Sequence, residues 1–419
     1  MKTARAIIPI MLILFCSSTA LGLDVSGQSR TYLIARKTAD STRLLPFYEY
    51  LDLRADDVGM QASSFHASGW FRYDLQNESS GEKSTSDLQY AYLSMKGSQG
   101  NAFLNLGRMF VNQGVASSLF DGMSIGTDLR WGFGVSAFTG VPVETDSNNR
   151  SGDSVYGGRI SQGKDGLYRI GVSYLQERDK NSDYRREGGL DLWFRPINKV
   201  ELLGTSQYNA ITSHFASNTA YLTLGPFQAL TIRAEYTDIS YKDFFTTSTM
   251  SAFQLRPGGP VDPKENLKTG GGSASLTFGP VSVSADYKSY QYDLAGTASY
   301  YGGRVAYAGA QKMGAGLSIH RMDGETNALR YNEYRIYGYK KFDKVDISAD
   351  ILTLHYDTEM NGVTNAYSAS LSGGYSLTGK IKLGVDVEYS KNPYYDHDVR
   401  GLVKLVYNFD VQPTIKGRK

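Results

Sequence analysis

Apolar and polar side chains alternate with a period of two in many separate segments of this sequence. One segment carries Ile381, Leu383, Val385 and Val387 at every second position, and lysine, glycine, aspartate and glutamate stand between them. Because successive side chains of a β-strand point to opposite faces, the pattern predicts strands with one apolar and one polar face. A sequence built this way throughout folds as an all-β protein.

A soluble β-sandwich also shows alternation, so the length and spacing of the segments decide between the two folds. The segments have about ten residues, which is the length that a tilted strand needs to cross a bilayer. Short glycine-rich or proline-rich connections, such as 163–166 and 225–226, take turns with longer ones, such as 141–152 and 239–267. Short turns at one end and long loops at the other are typical of bacterial outer-membrane barrels.

The alternating segments number about 22, within a range of 20–22, and an even number is what a bacterial barrel requires. The predicted strands lie near 30–37, 46–54, 64–75, 87–96, 101–110, 122–129, 131–140, 153–162, 167–178, 185–195, 199–209, 217–224, 228–238, 269–278, 281–290, 299–308, 312–321, 330–341, 344–355, 365–376, 380–390 and 399–409. We therefore predict a transmembrane antiparallel up-and-down β-barrel over residues 23–411, followed by a periplasmic tail over residues 412–419.

The first 22 residues have the features of a secretory signal peptide. Lys2 and Arg5 precede an apolar run over residues 6–15, and small residues follow up to Gly22. The apolar run is too short to span a bilayer. The only cysteine, Cys16, lies inside this segment, so we expect a mature chain without disulfides or covalently attached haem. The expected location is the outer membrane of a Gram-negative-type bacterium.

Only a few residues separate the predicted cleavage site from the first predicted strand, so we expect no plug domain. A barrel of this width is expected to enclose an aqueous lumen or a plug. The predicted lumen is therefore water-filled, narrowed by its own loops, or filled by another protein.

The polar faces of the strands supply candidate lumen-facing residues of both charge signs. They are Arg72, Asp74, Arg169, Asp191, Arg195, Arg233, Glu235, Asp286, Lys288, Asp346, Asp350, Lys382, Asp386, Glu388, Arg400 and Lys404. A ring of one sign would select ions by charge. The mixed signs favour cross-strand charge pairs on a solvated wall, and a selective constriction is the alternative.

Two connections are candidates to fold inward and narrow the lumen. The longest runs from about residue 239 to 268 and carries Phe244, Phe245, Phe253 and Arg256. An extracellular flap with no lumen contact is the alternative for this connection. A connection this long is uncommon unless it is functional or disordered. The second candidate is Val111 to Asp121, which includes Gly114 and Phe120.

No motif in the sequence predicts enzymatic activity, a metal site or a cofactor held by this chain. The letters Gly132 to Ala137 match part of a dinucleotide fingerprint, but they lie in an alternating segment with no helix after it. The five histidines are scattered, and the net charge of +2 gives no basic face for nucleic acid. The tyrosines near strand ends predict the aromatic girdle at the membrane interfaces.

Several distinctive stretches lie in the first third of the chain. They are residues 29–33 (Ser-Arg-Thr-Tyr-Leu), 47–51 (Phe-Tyr-Glu-Tyr-Leu), 64–70 (Ser-Phe-His-Ala-Ser-Gly-Trp), 87–93 (Asp-Leu-Gln-Tyr-Ala-Tyr-Leu), 106–108 (Leu-Gly-Arg) and 120–122 (Phe-Asp-Gly). These stretches resemble the porin-like barrels of porin–cytochrome conduits in metal-reducing bacteria. The resemblance implies an insulating sleeve around a periplasmic multihaem cytochrome that meets an outer-surface multihaem cytochrome. Haem would then belong only to partner chains.

Three functions remain open from the sequence. The first is the sleeve of an electron-transfer conduit across the outer membrane. The second is a free-standing diffusion porin for small solutes, which rests on the barrel alone. The third is a surface adhesin or receptor that uses the long loops. In each case outer-membrane lipid surrounds the barrel.

Overall fold

A computed structural model describes residues 24–37, 42–59, 62–76, 82–114, 116–143, 152–180, 182–244, 265–310 and 312–411. The predicted signal peptide and the predicted tail lie outside these ranges. No helix in the described part of the chain has the length and apolar character that a membrane span requires.

The structure consists almost entirely of 22 long strands, together with a two-residue strand Arg43–Leu44 that pairs with the end of the first one. The strands are β1 Asp24–Lys37, β2 Pro46–Asp56, β3 Ser63–Asp74, β4 Ser84–Lys96, β5 Ala102–Gln113, β6 Ala116–Asp128, β7 Phe133–Pro142, β8 Ser154–Lys164, β9 Tyr168–Asp179, β10 Ser182–Ile197, β11 Val200–Asn209, β12 His214–Phe227, β13 Leu230–Ser240, β14 Asn266–Phe278, β15 Val281–Tyr292, β16 Gly296–Gly309, β17 Met313–Gly324, β18 Arg330–Lys341, β19 Val345–Met360, β20 Val363–Ser376, β21 Ile381–Asn392 and β22 Tyr395–Val411. One helical turn, α1 Tyr241–Phe244, follows β13, and 3₁₀ turns lie at Arg130–Gly132 and Asn327–Leu329.

Each strand pairs antiparallel with the strand before it, and the last strand closes the sheet on the first. The β1–β22 ladder runs from Val25↔Val411 to Ala35↔Gly401 without a break. The β1–β2 ladder is similarly continuous on the other side of β1. The molecule is therefore a closed up-and-down barrel, as the sequence predicts. Within the described ranges no strand forms a separate plug.

The two faces of the wall differ as the alternation requires. On β22, Val403, Leu405 and Tyr407 are exposed apolar or aromatic side chains, and they alternate with Leu402 and Lys404. We call the first set the outer face and the second the lumen face. The lower rim is the end of the barrel that carries Asp24 and Val411, and the upper rim is the opposite end.

The strand count is confirmed, and each predicted strand matches one observed strand. The predicted ends are less accurate, because many strands continue beyond the predicted membrane-crossing part at one rim or the other. β1 begins at Asp24 instead of residue 30, and β16 begins at Gly296 instead of residue 299. The prediction of a long connection from Val111 to Asp121 is wrong, since β5 runs to Gln113 and β6 starts at Ala116.

The prediction that the tyrosines near strand ends form a girdle on the outer face is right only in part. Tyr287, Tyr301 and Tyr334 lie on the outer face, where a girdle belongs. Tyr290 and Tyr300 stand at alternate positions and face the lumen, where Tyr300 stacks on His320. The strands therefore supply aromatic side chains to both faces near the upper rim.

Closure of the barrel depends on a close approach of backbone at Gly27 of β1. A Cβ there would lie 2.3 Å from the carbonyl oxygen of Asp52 and 2.4 Å from the ring of Phe409. We predict that Gly27→Ala destabilises the barrel by about 1–3 kcal/mol, because the clash falls on backbone and on a buried ring. The measurement is the temperature at which the compact band disappears on a heat-modifiability gel.

The matched control is Gly379→Ala, since a Cβ at Gly379 has nothing within 4 Å. An equal effect of the two substitutions would contradict the assignment of Gly27 to the closing seam.

Candidate permeation path and its inward hairpin

The upper halves of β5 and β6 leave the wall together. The β4–β5 ladder contains only the pairs from Ala91↔Arg108 to Lys96↔Phe103. The β6–β7 ladder ends at Phe120↔Pro142, whereas β5 and β6 stay paired with each other up to Gln113↔Ala116. We call the described residues 109–114 and 116–119 the inward hairpin, because the contacts that they make with the wall fall on its lumen face.

Apolar contacts hold the inward hairpin against the lumen face of β7, β8 and β9. The cluster consists of Met109, Val111, Ala116, Phe120, Phe138, Val155 and Leu175, which are 0–6% exposed. The rings of Phe120 and Phe138 stack with centroids 5.4 Å apart. Full burial of each large apolar side chain contributes about 1.5–3 kcal/mol. This small core fixes the hairpin on the wall.

The tip of the hairpin reaches the lumen face of β9 and β10. A Cβ at Gly114, which has φ of +65°, would lie 2.6 Å from the Ser173 hydroxyl and 3.0 Å from the Asp191 carboxylate. Behind the tip, Arg185 donates a 2.7 Å hydrogen bond to the carbonyl of Ser117, and Ser136 donates a 2.8 Å bond to Gln113. Because these partners stand at lumen-face positions of β7, β9 and β10, the hairpin lies inside the lumen.

The hinge of the hairpin is a pair of facing glycines. Gly107 lies opposite Gly122 and has φ of +128°. A Cβ at Gly107 would lie 2.3 Å from the carbonyl oxygen of Ala91. Only glycine adopts such a backbone conformation without strain at so close an approach. The bend therefore depends on this residue.

An ion pair on the outer face braces the same bend. Arg108 donates to both carboxylate oxygens of Asp121, at 2.7 and 3.1 Å. Its remaining nitrogen donates a 3.0 Å hydrogen bond to the carbonyl of Leu88 on β4. Leu88 lies in the part of β4 that has no ladder to β5. Arg108 thus satisfies an edge carbonyl that the departing strand leaves behind.

A charged pair lies beside the tip of the hairpin. Arg159 of β8 donates to Asp191 of β10, with Nε 3.0 Å from one carboxylate oxygen. The strand between them contributes Gly171, where a Cβ would lie 2.3 Å from the guanidinium. The tip and this pair together form the candidate constriction.

The predicted lumen-facing residues stand at lumen-face positions of their strands, and most meet a partner of opposite sign. The pairs are Lys288–Glu235 at 2.5 Å, Arg335–Asp350 at 2.5 Å, Lys382–Asp346 at 2.7 Å, Lys404–Asp386 at 3.1 Å and Arg400–Asp398 at 2.6 Å. Among the residues that the structure describes, these pairs form no ring of one sign. This part of the lumen wall is polar and carries charges of both signs.

The other predicted lumen residues lie nearer the rims or make different contacts. Arg72 and Asp74 come within 3.6 Å of each other at the upper rim. Asp286 contacts His320 at 3.0 Å, and Glu388 accepts a 3.2 Å hydrogen bond from Ser368. Arg169 and Arg195 lie towards the lower rim, and Arg233 lies opposite Ser273 and Thr223.

Several of these contacts cross over a glycine of the intervening strand. Gly271 of β14 lies in register between Glu235 and Lys288. Gly302 of β16 lies in the same way between Asp286 and His320. A side chain at either position would separate the two partners. Glycine at these two positions thus has a structural cause.

The longest connection contributes little to the described structure. Phe244 ends α1 and is 40% exposed, whereas Phe245, Phe253 and Arg256 lie outside the described residues. α1 sits over the end of β11, where Asn209 donates a 2.9 Å hydrogen bond to the carbonyl of Asp243. Burial, and next the nearby charge of Glu265, raise the pKa of the Tyr241 hydroxyl in this helical turn.

Sequence reasoning did not identify the apolar wall residues against which the hairpin packs. Phe138, Val155 and Leu175 stand at lumen-face positions that polar side chains should occupy. Three apolar lumen positions on consecutive strands are the signal that would have revealed it. Arg30, Asp52 and Arg159 were also missed, although each stands at a polar position of its strand.

No known family model matches the chain, and no curated protein matches it. Among solved structures, the barrel is similar to a mutant of the ferric enterobactin receptor PfeA of Pseudomonas aeruginosa, with a TM-score of 0.56 and 10% identity over 91% of this chain and 80% of that chain. This similarity supports the barrel fold alone.

Two further matches have lower TM-scores. The P pilus usher PapC translocation pore gives 0.49 with 9% identity over 92% of this chain and all of that chain. The Pseudomonas aeruginosa protein OccK5 (OpdH) gives 0.41 with 11% identity over 93% of this chain and 99% of that chain.

A disulfide trap tests the position of the hairpin. We predict that Gly114→Cys combined with Ser173→Cys forms a cross-link, because an ideal Cβ at 114 lies 2.9 Å from that of Ser173 and a small tip shift gives disulfide spacing. Cys16 is replaced by serine to remove the only native thiol. The readout is the mass of the unreduced proteolytic fragments.

The control pairs Ser173→Cys with Gly100→Cys, since Gly100 lies in a lower-rim turn with nothing near its Cβ position. A hairpin that projects above the upper rim would give no cross-link in either protein.

Proposed function

We propose that this protein is an outer-membrane channel whose cross-section is set by the inward hairpin. The observation that carries the proposal is the buried contact between the hairpin and the lumen face of β7–β9. A closed barrel of 22 strands has room for an aqueous lumen. The apolar outer face suits lipid, and the polar lumen face suits water.

The wall charges favour a hydrated path of modest ion selectivity. Many lumen-face cations are paired with carboxylates, so their charges largely cancel along the path. A strong preference for one ion sign needs a ring of one charge. The Arg159–Asp191 pair at the hairpin tip is the place where a single charge change has most influence.

Conductance in planar bilayers tests the channel and the role of the hairpin together. We predict a severalfold higher single-channel conductance when a short Gly-Ser turn replaces residues 109–119, because the constriction is removed. The control replaces residues 325–329 in an upper connection with the same turn. Absence of conductance in both the native barrel and the variant would contradict the channel.

A neutralised tip charge should change ion selectivity. Asp191→Asn leaves Arg159 without its carboxylate partner, so we predict a shift of the reversal potential towards anion selectivity in a KCl gradient. The control is Asp323→Asn, because Asp323 is exposed and stands on the outer face, 3.6 Å from Arg321 of the same strand. Identical reversal potentials in all three proteins would show that the tip does not line the path.

We propose further that this channel serves as the sleeve of a porin–cytochrome conduit. The support comes from where the structure places the resembling segments. Residues 106–108 and 120–122 are the two sides of the hinge, and the other four segments lie on β1, β2, β3 and β4. The resemblance is thus concentrated in one continuous part of the wall that includes the bend of the hairpin.

In this role the barrel contributes shape and insulation rather than redox chemistry. The partner cytochromes hold all the haem, and the wall keeps them out of contact with lipid. The hairpin narrows the lumen on one side and gives a partner a fixed surface to press against. The free-standing diffusion porin is the alternative that the same geometry accommodates.

Purification of the tagged barrel from native outer membrane in mild detergent separates these two possibilities. We predict that haem-stained partners co-purify in roughly equal amount with the native barrel and are largely lost from the variant lacking residues 109–119. The variant with residues 325–329 replaced serves as the control and should retain them. A colourless native barrel that still conducts would contradict the conduit and leave the diffusion porin.

A further inference from the structure

A cavity of about 560 Å³ opens on the lumen face of β1, β2 and β4, and it is not part of the constriction. Its lining includes Arg30, Tyr32, Tyr48, Tyr50 and Gln89. Cavities of about 300–1,000 Å³ that combine aromatic walls with a few polar groups are the usual form of small-molecule sites. The inward hairpin lies against β7–β9 and leaves this part of the wall uncovered.

The tyrosines of the cavity, together with Trp70, form an aromatic shelf. Tyr48 and Tyr50 are nearly parallel, with an interplanar angle of 20° and centroids 6.2 Å apart. Tyr32 meets Tyr50 edge-on at 5.7 Å, and Trp70 lies 6.4 Å from Tyr48. Lumen-face positions of three neighbouring strands thus hold a cluster of aromatic side chains, where polar side chains are the rule.

The charged groups beside the shelf are one arginine and one aspartate, so together they carry no net charge. Arg30 donates a 2.7 Å hydrogen bond to Asp52, and its guanidinium also lies 5.5 Å from the centroid of Tyr50. Tyr90 donates a further 3.3 Å bond to the same carboxylate. Gln89 accepts a 3.0 Å bond from Ser68, which orients its amide beside the cavity. Both members of the ion pair keep partial solvent access.

This combination discriminates among ligand classes. An anion would compete with Asp52 for Arg30, and a cation would compete with Arg30 for Asp52, so the pair disfavours both. A wholly apolar ligand would cover the ion pair without bonding to it, which costs free energy. A sugar ring has an apolar C–H face for the tyrosine rings and hydroxyls that both donate and accept hydrogen bonds.

We propose that the aromatic shelf and the Arg30–Asp52 pair form a binding site for an uncharged hexose ring, free or within a short oligosaccharide. The ring stacks on Tyr48 and Tyr50, and its hydroxyls bond to Arg30, Asp52 and Gln89. The proposal depends on the proposed channel only because the solute must reach the lumen.

Tryptophan fluorescence reports on this site directly. The chain has three tryptophans. Replacing Trp131 and Trp193 with phenylalanine leaves Trp70, a member of the shelf, as the sole reporter. We expect a saturable fluorescence change when maltotriose is added to this barrel in detergent. Tyr48→Ala in the same background should weaken binding by about tenfold, because one stacking face is lost. Tyr48→Phe keeps the ring and should bind as the parent does.

The control is Tyr356→Ala, which removes a lumen-face tyrosine that packs edge-on with Tyr331 at 5.8 Å, away from the shelf. Every variant is first checked for the compact band that marks a folded barrel. No saturable change with maltotriose would overturn the proposal. Equal competition by benzoate or choline would overturn its ligand class, and an equal loss in Tyr356→Ala would overturn its location.

Conductance measured on the same preparations keeps this test separate from the proposed function. A barrel that binds maltotriose and does not conduct would contradict the channel and support the site. A barrel that conducts and does not bind maltotriose would support the channel and contradict the sugar site.

Discussion

The continuous ladder between β1 and β22 is the interaction on which the rest of the structure depends. The hydrocarbon of a bilayer offers no water to unpaired backbone groups, so a spanning sheet must close on itself. Closure requires the Gly27 backbone to approach Asp52 and Phe409 without an intervening side chain. Once the sheet is closed, alternation alone decides which side chains meet lipid and which meet the lumen.

The inward hairpin is a local exception, because its two strands leave the closed sheet. Other residues replace the lost backbone pairing and cover the apolar side chains. When β5 leaves the wall, β4 loses its neighbour above Ala91, and Arg108 supplies a donor to the exposed Leu88 carbonyl. The apolar faces of the hairpin would meet water, and Phe138, Val155 and Leu175 bury them instead. The lumen therefore has one wall covered by the hairpin and another, with the aromatic shelf, left open to solutes.

The sequence carries the barrel clearly because a period-two pattern repeated along the chain has few other solutions. It assigns the charged residues to one common face of their strands for the same reason, since one choice of face fixes every second position. It does not reveal which cation meets which carboxylate, because the partners of Glu235 and Asp286 are two strands away and meet across Gly271 and Gly302. Nor does alternation reveal the direction of a hairpin: Met109 and Phe120 obey the pattern whether the hairpin points outward or folds inward.

The most direct test of this account is a cryo-electron microscopy map of the barrel in lipid nanodiscs. The account predicts density for residues 109–119 inside the lumen, with Phe120 against Phe138 and the Gly114 tip beside Asp191. It also predicts an uninterrupted ladder between β1 and β22. Density for the same residues that continues straight above the upper rim, with β4 and β5 paired along their full lengths, would contradict the constriction and the function that depends on it.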